Sequence, residues 1–131
     1  MKPPLNELYV GNPGFHFANA LNREAGRPAA WRQLYAMEGV KSPAQVAGDF
    51  AVAFRTPEDG VFMAVDRFAI RSLCYRRVGN TLLFAERADE LADASTEIDP
   101  QAIFDYFYFH CIPSPRTIFK GIYRVPPAHY V

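Results

Sequence analysis

The sequence is poor in the residues that most often announce chemistry. Its 131 residues include two cysteines, Cys74 and Cys111, and three histidines, His16, His110 and His129. The histidines share no ligand spacing with one another or with the cysteines, whereas a metal site needs three or four converging ligands. Neither metal nor cofactor is expected, and the histidines read as ordinary surface or core residues. The cysteines fall on different expected elements; free thiols in a reducing cytoplasm are the expectation and a disulfide the alternative. Charge of either sign is also lacking in excess: 14 Lys and Arg balance 14 Asp and Glu, for a net +0. With no charge run, the chain offers no electrostatic handle to nucleic acid or to an anionic membrane. No apolar run approaches the roughly 20 residues of a membrane helix, and MKPPLNELYV lacks a signal-peptide core. Repeats and low-complexity stretches are missing as well.

What the chain has in quantity is core material. It is 50% hydrophobic and 15% aromatic, enough for one packed domain. The most legible stretch is Gly48–Glu86, which reads as four short strands. Phe50, Val52 and Phe54 alternate with smaller residues, as in a half-buried antiparallel strand. Pro57-Glu58-Asp59-Gly60 is a turn in which Pro presets φ and Gly allows φ > 0. Val61, Met63 and Val65 share a face of the next strand, Val61–Asp66. Leu73–Val78 and Thr81–Ala85 form a hairpin closed by Gly79-Asn80.

On the N-terminal side, Pro3, Pro4, Gly11, Pro13 and Gly14 interrupt regular structure, leaving a short strand at Leu5–Val10, a short helix at Phe15–Asn22 and a polar connection at Arg23–Pro28. Pro28–Gly39 reads as a helix whose Trp31, Leu34, Tyr35 and Glu38 face a sheet. Ser42 is expected to cap a second short helix, with Pro43 in its first turn and Val46 pointing inward. Beyond the strands, Arg87–Ala94 suggests one helical turn anchored by Leu91. Asp99 and Pro100 open a helix that runs through Cys111 and stops before Pro113. Ile103, Phe104, Phe107, Tyr108 and Cys111 make one of its faces, Tyr106 and Phe109 a second, and a helix so apolar is expected to be buried on two sides. Tyr106, Phe107 and Phe109 are the candidate interface residues. Thr117–Tyr123 and Ala128–Val131 look like short strands around Pro126-Pro127. Strands grouped between helices argue for an α+β fold with antiparallel sheet. The expected organisation is an irregular segment over 1–27 followed by the α+β domain over 28–131.

Reactive constellations are hard to find. Asp66-Arg67 and Glu86-Arg87 follow two expected strands and suggest an ion-pair network at one sheet end, or a carboxylate binding an amine or guanidinium. No Ser/His/Asp set has interpretable spacing, Gly11-Asn12-Pro13-Gly14 does not continue as a phosphate loop, and the Tyr106–Phe109 aromatics lack the basic interleaving of a base-stacking surface.

From the first clear helix onward the chain resembles the class II glutamine amidotransferase domain of the asparagine synthetase family. Such domains carry a Gly-x-Phe-Ala strand, an Arg-Asp-x-x-Gly-x-x-Pro-Leu-Tyr segment, Phe-Ala-Ser-Glu, Asp-x-x-Ala-Ile, Thr-Ile-Phe-x-Gly-Ile and Pro-Pro-Gly-x-Tyr. Here stand Gly48-Asp49-Phe50-Ala51, then Asp66-Arg67-Phe68-Ala69-Ile70-Arg71-Ser72-Leu73-Cys74-Tyr75, and Phe84-Ala85-Glu86. Asp99-Pro100-Gln101-Ala102-Ile103, Thr117-Ile118-Phe119-Lys120-Gly121-Ile122 and Pro126-Pro127-Ala128-His129-Tyr130 follow in order. The resemblance implies a shortened αββα glutaminase sandwich over about three-quarters of the chain.

It also implies what is missing. Family glutaminases use an N-terminal cysteine whose own α-amine serves as base. This sequence begins Met1-Lys2-Pro3, and Cys74 and Cys111 lie mid-chain. The family's Asn-Gly-Glu segment is weakly echoed by Asn6-Glu7-Leu8-Tyr9. The position of the aspartate that holds the substrate ammonium falls on Arg27, a cation that would repel it. Val65 replaces the arginine before Asp66, and Ala69 and Ser72 replace the usual Gly and Pro. No catalytic or substrate-binding residue is therefore assigned. The synthetase half, with its Ser-Gly-Gly-x-Asp loop, has no counterpart before Val131. Beta-lactam synthetases and lasso-peptide cyclases keep a similarly inactive domain as scaffold. The expectation is a non-catalytic scaffold. It would associate with itself or with an asparagine-synthetase-like partner through apolar sheet surface that half a fold leaves uncovered. The alternatives are a fragment of a glutamine-hydrolysing asparagine synthetase and a peptide-binding module that offers a sheet edge.

Overall fold

The computed structural model describes residues 7–15 and 26–131. The expected helix beyond Phe15, and the start of the expected first strand at Leu5, lie outside the described residues; Phe15 itself is in a strand. In chain order the elements are β1 (Leu8–Gly11), β2 (Gly14–Phe15), α1 (Gly26–Glu38), a 3-10 stretch (Gly39–Gln45), β3 (Val46–Ala47), β4 (Phe50–Arg55), β5 (Val61–Val65), β6 (Cys74–Val78), β7 (Thr81–Ala85), a 3-10 turn (Ala88–Leu91), α2 (Pro100–Phe109) and β8 (Ile122–Arg124). The fold is α+β with antiparallel sheets.

The four strands expected around the central stretch divide between two sheets. One has the order β1-β4-β5 and the other β7-β6-β8, with β2 and β3 as a separate pair. The C-terminal residues extend the first sheet: Met63 and Val131 exchange backbone hydrogen bonds, and Val65 donates to the His129 carbonyl at 3.3 Å.

Side-chain alternation builds the layers. Phe50, Val52, Phe54, Phe62 and Ala64 face α1, where Trp31 and Leu34 meet them. Ala51, Ala53, Met63 and Val65 face the second sheet and pack with Leu73, Val125, Leu82 and Phe84. Strand β4 is thus buried on both faces rather than one: its large residues fill the space under the helix, and its alanines let the second sheet approach. On the far side of that sheet, Cys74, Ala85 and Ile122 pack with Leu91 from the second 3-10 turn.

Several local expectations are corrected. Glu38 is exposed, and Ala30 is buried on α1 in its place. Ser42 lies buried inside the 3-10 stretch and donates to the Gly39 carbonyl instead of capping a helix. In the Pro57–Gly60 turn it is Asp59 that adopts the left-handed conformation, at φ 63°. Helix α2 begins as expected, the Asp99 carboxylate accepting from the Gln101 N–H at 2.9 Å. It ends at Phe109, two residues early, because His110 takes φ 60° and donates to the Tyr106 carbonyl.

The largest correction concerns burial. The two sheets cover each other's inner faces and α1 covers the outer face of the first, while Val78 and Tyr123 of the second sheet stay exposed. Helix α2 buries only Ala102 and Asp105, while Ile103, Phe104, Tyr106, Phe107, Tyr108 and Phe109 are all exposed. Its hold is polar: Arg116 reaches Asp99 at 3.2 Å and Asp105 at 2.9 Å.

Candidate functional site

A cleft of about 1050 Å³ opens between the 3-10 stretch, the Gly48-Asp49 bend and the loop after β5. Its walls are apolar, with Val46, Phe50, Val65 and Phe68 among them; its charged groups are Lys41, Asp49, Asp66 and Arg67, and the His129 imidazole also lines it. The volume lies at the upper limit of what small-molecule sites take, generally about 300–1,000 Å³.

At the back of the cleft sits Asp66, 2% exposed. Its Oδ1 accepts from the Phe68 and Ile70 N–H groups at 3.0 and 3.1 Å, and its Oδ2 from Phe50 and Arg71 at 3.2 Å each. Burial pushes this carboxyl up, but the four backbone donors outweigh it and the net pKa is lowered. Because Asp66 follows the last residue of β5, its side chain closes the loop that returns the chain toward β6. The Asp66 carbonyl accepts from Ala69 and from Ala128, so one residue ties that loop and the C-terminal segment to the first sheet.

The ion-pair network expected of Asp66-Arg67 and Glu86-Arg87 does not form. Strands β5 and β7 belong to different sheets. Arg67 is exposed, Arg87 pairs with Asp89 at 2.9 Å, and Arg71 crosses instead to Asp49 at 2.8 Å. The hydrogen bond from Arg71 lowers the Asp49 pKa. Nor does Asp66 offer itself to an amine or guanidinium, since both oxygens are already filled by backbone donors. Sequence reasoning missed this role; the signal available was an acidic residue at a strand end followed by a loop with few other acceptors.

Glu7, in the weak Asn-Gly-Glu echo, is engaged by Arg32 of α1. Burial and the neighbouring Glu7 push the Tyr9 phenol up to about 12, Arg32 opposing them. Arg27 lies exposed in the first turn of α1.

Neither cysteine reaches the cleft. Cys74 is buried with Ile122 and Leu91, its Sγ 4.0 Å from the Glu86 carbonyl. Burial pushes its thiol up despite Arg124 nearby, which leaves it protonated and a poor nucleophile. Cys111 is exposed just past α2. Both thiols are free. Among the described residues no group of three or more His, Cys, Asp or Glu is placed to hold a metal, and no helix is long and apolar enough to cross a membrane.

Tyr106, Phe107 and Phe109 are all on α2, and none of them lines the cleft. No curated protein matches the chain. The glutamine amidotransferase domain family matches residues 31–131, a span that holds the two facing sheets from β4 onward, the cleft and α2, and the chain belongs to that family.

Proposed function

We propose that this chain is a non-catalytic glutamine amidotransferase domain related to that of asparagine synthetases, acting as a scaffold or interaction unit. The observation that supports this most is the position of the two thiols. Class II glutaminase chemistry needs a thiolate nucleophile beside a substrate cleft. Here Cys74 is sealed between a sheet and a 3-10 turn, Cys111 stands past α2, and the cleft is lined by neither. The carboxylate deepest in the cleft, Asp66, has its oxygens taken by backbone, which leaves it no vacancy for an ammonium. Release of ammonia from glutamine tests the proposal; turnover would favour a glutamine-hydrolysing asparagine synthetase fragment instead.

A second reading rests on β7, one of the two edge strands of its sheet. An extended peptide adding a strand there would gain main-chain hydrogen bonds. Titration of extended peptides, followed through the Thr81–Ala85 amide resonances, distinguishes it from the scaffold reading.

A further inference from the structure

The charges around the cleft differ in what they leave open. Both carboxylates are occupied. Asp49 holds Arg71 at 2.8 Å, and the Asp66 oxygens accept four backbone N–H groups. The two cations that line the cleft, Lys41 and Arg67, are exposed and have no hydrogen bond or ion pair among the described residues. Counting Arg71, three cations stand against two carboxylates there, and Lys41 and Arg67 are the part of that charge a ligand can reach. An entering anion meets two open partners. An ammonium or guanidinium meets two cations and no open carboxylate.

The rest of the lining suits an apolar body. Val46, Phe50 and Val65 line the cleft, and so do Phe68 and Ile70, which are 77 and 68% exposed. The Phe68 and Ile70 N–H groups are bonded to Asp66 Oδ1 at 3.0 and 3.1 Å. Those bonds fix the backbone from which both apolar side chains project, so little ordering of the loop opposes binding. A volume of about 1050 Å³ is far more than an inorganic anion fills and has the scale of a whole organic molecule.

We propose that the cleft binds a small organic acid, its carboxylate met by Lys41 and Arg67 and its aliphatic or aromatic body lying against Phe50, Val65 and Phe68. An α-amino acid does not fit this description, because its ammonium finds no open carboxylate. The proposal is independent of the loss of glutaminase chemistry: ammonia release reports on that, and binding of an unreactive acid on this.

Calorimetric titration of the whole chain with three ligands of one body, octanoate, octanol and octyltrimethylammonium, tests it at neutral pH. Amide chemical shifts locate each ligand. Octanoate is expected to move the Gly48, Val65 and Phe68 resonances and to bind about tenfold more tightly than the other two, at about threefold for each exposed ion contact. Lys41→Gln and Arg67→Gln are each expected to weaken octanoate about threefold and to leave octanol unchanged. Lys41→Glu combined with Arg67→Glu is expected to reverse the preference toward octyltrimethylammonium. Phe68→Ser is expected to weaken all three ligands alike. Equal affinity for the three ligands overturns the proposal, as does no binding of octanoate at millimolar concentration. So do shifts confined to the α2 aromatics, or displacement of octanoate by glutamate.

Discussion

Ala69 and Ala128, 59 residues apart in sequence, donate their backbone N–H groups to one acceptor, the Asp66 carbonyl, at 3.1 and 3.0 Å, and both do so from left-handed backbone at φ 50° and 61°. These are positions at which the resemblance to amidotransferase domains expects glycine. The backbone keeps the glycine conformation, and the alanine side chain bears the steric cost, about 1–2 kcal/mol per residue.

Replacing Ala69 by Gly is therefore expected to stabilise the fold. Relief of the left-handed strain exceeds the roughly 0.4–1 kcal/mol by which glycine favours the unfolded chain. The expected net gain is about 0.5 kcal/mol at either site. Because both residues share an acceptor, Ala69→Gly with Ala128→Gly need not be additive. Urea midpoints of the two single variants and the double variant measure this.

Asp66 is the centre of the same arrangement. Asp66→Asn would set an amide NH₂ against backbone N–H groups and leave two of them without an acceptor. The expected loss is about 3 kcal/mol, from unsatisfied buried donors. Denaturant unfolding at neutral pH reads it.

The pH dependence follows with a definite sign. The folded Asp66 carboxyl lies below its ordinary value, despite burial, because four backbone donors hold the charged form. Its contribution is present above the unfolded value of about 3.9 and fades as pH falls through the lower folded value. Wild-type stability is expected to decline below about pH 4 more steeply than that of Asp66→Asn. Equal slopes in the acid range would contradict the assignment.

Gly11 and Gly48 make a related demand. A Cβ on Gly11, at φ 95°, would sit on the Asp49 carbonyl oxygen, and one on Gly48, at φ 85°, on the Asn12 carbonyl oxygen. The first sheet and the cleft wall meet at this backbone crossing. Gly11→Ala is expected to cost about 2–3 kcal/mol, from clash and positive φ together. Thermal melting checks it.

Much of the fold was legible in the sequence. The alternation of Phe50, Val52 and Phe54, the Gly79-Asn80 turn and the Asp99-Pro100 helix start are local signals, and the structure keeps them. What the sequence hid was pairing. The hairpin β6-β7 leaves the first sheet and faces it, because Ala51 and Ala53 make room. Nothing in the local pattern marks those alanines as a sheet-to-sheet contact rather than a strand's solvent side. The apolar helix misled for a similar reason. Composition predicts burial of Phe104 and Phe107, yet the helix is moored by Ala102 and the Asp105–Arg116 pair. At the candidate site, the departures from the family pattern could be read residue by residue. The saturation of Asp66 by backbone depends on loop geometry and could not.

Thiol reactivity separates the two cysteines. Cys111 is exposed and Cys74 buried, with burial pushing the Cys74 thiol up. An aromatic disulfide reagent is expected to label one thiol quickly and the second only with unfolding. Prompt labelling of both would contradict the packing of Cys74 beneath Leu91.

The most direct test of the account is glutamine hydrolysis by the chain itself, with ammonia and glutamate both quantified against a buffer blank. The account predicts no glutamate above the blank, and no change when Cys74 and Cys111 are replaced by Ser. Glutamate and ammonia released together at a rate that scales with protein concentration, or a glutamyl thioester trapped on either cysteine, would contradict it.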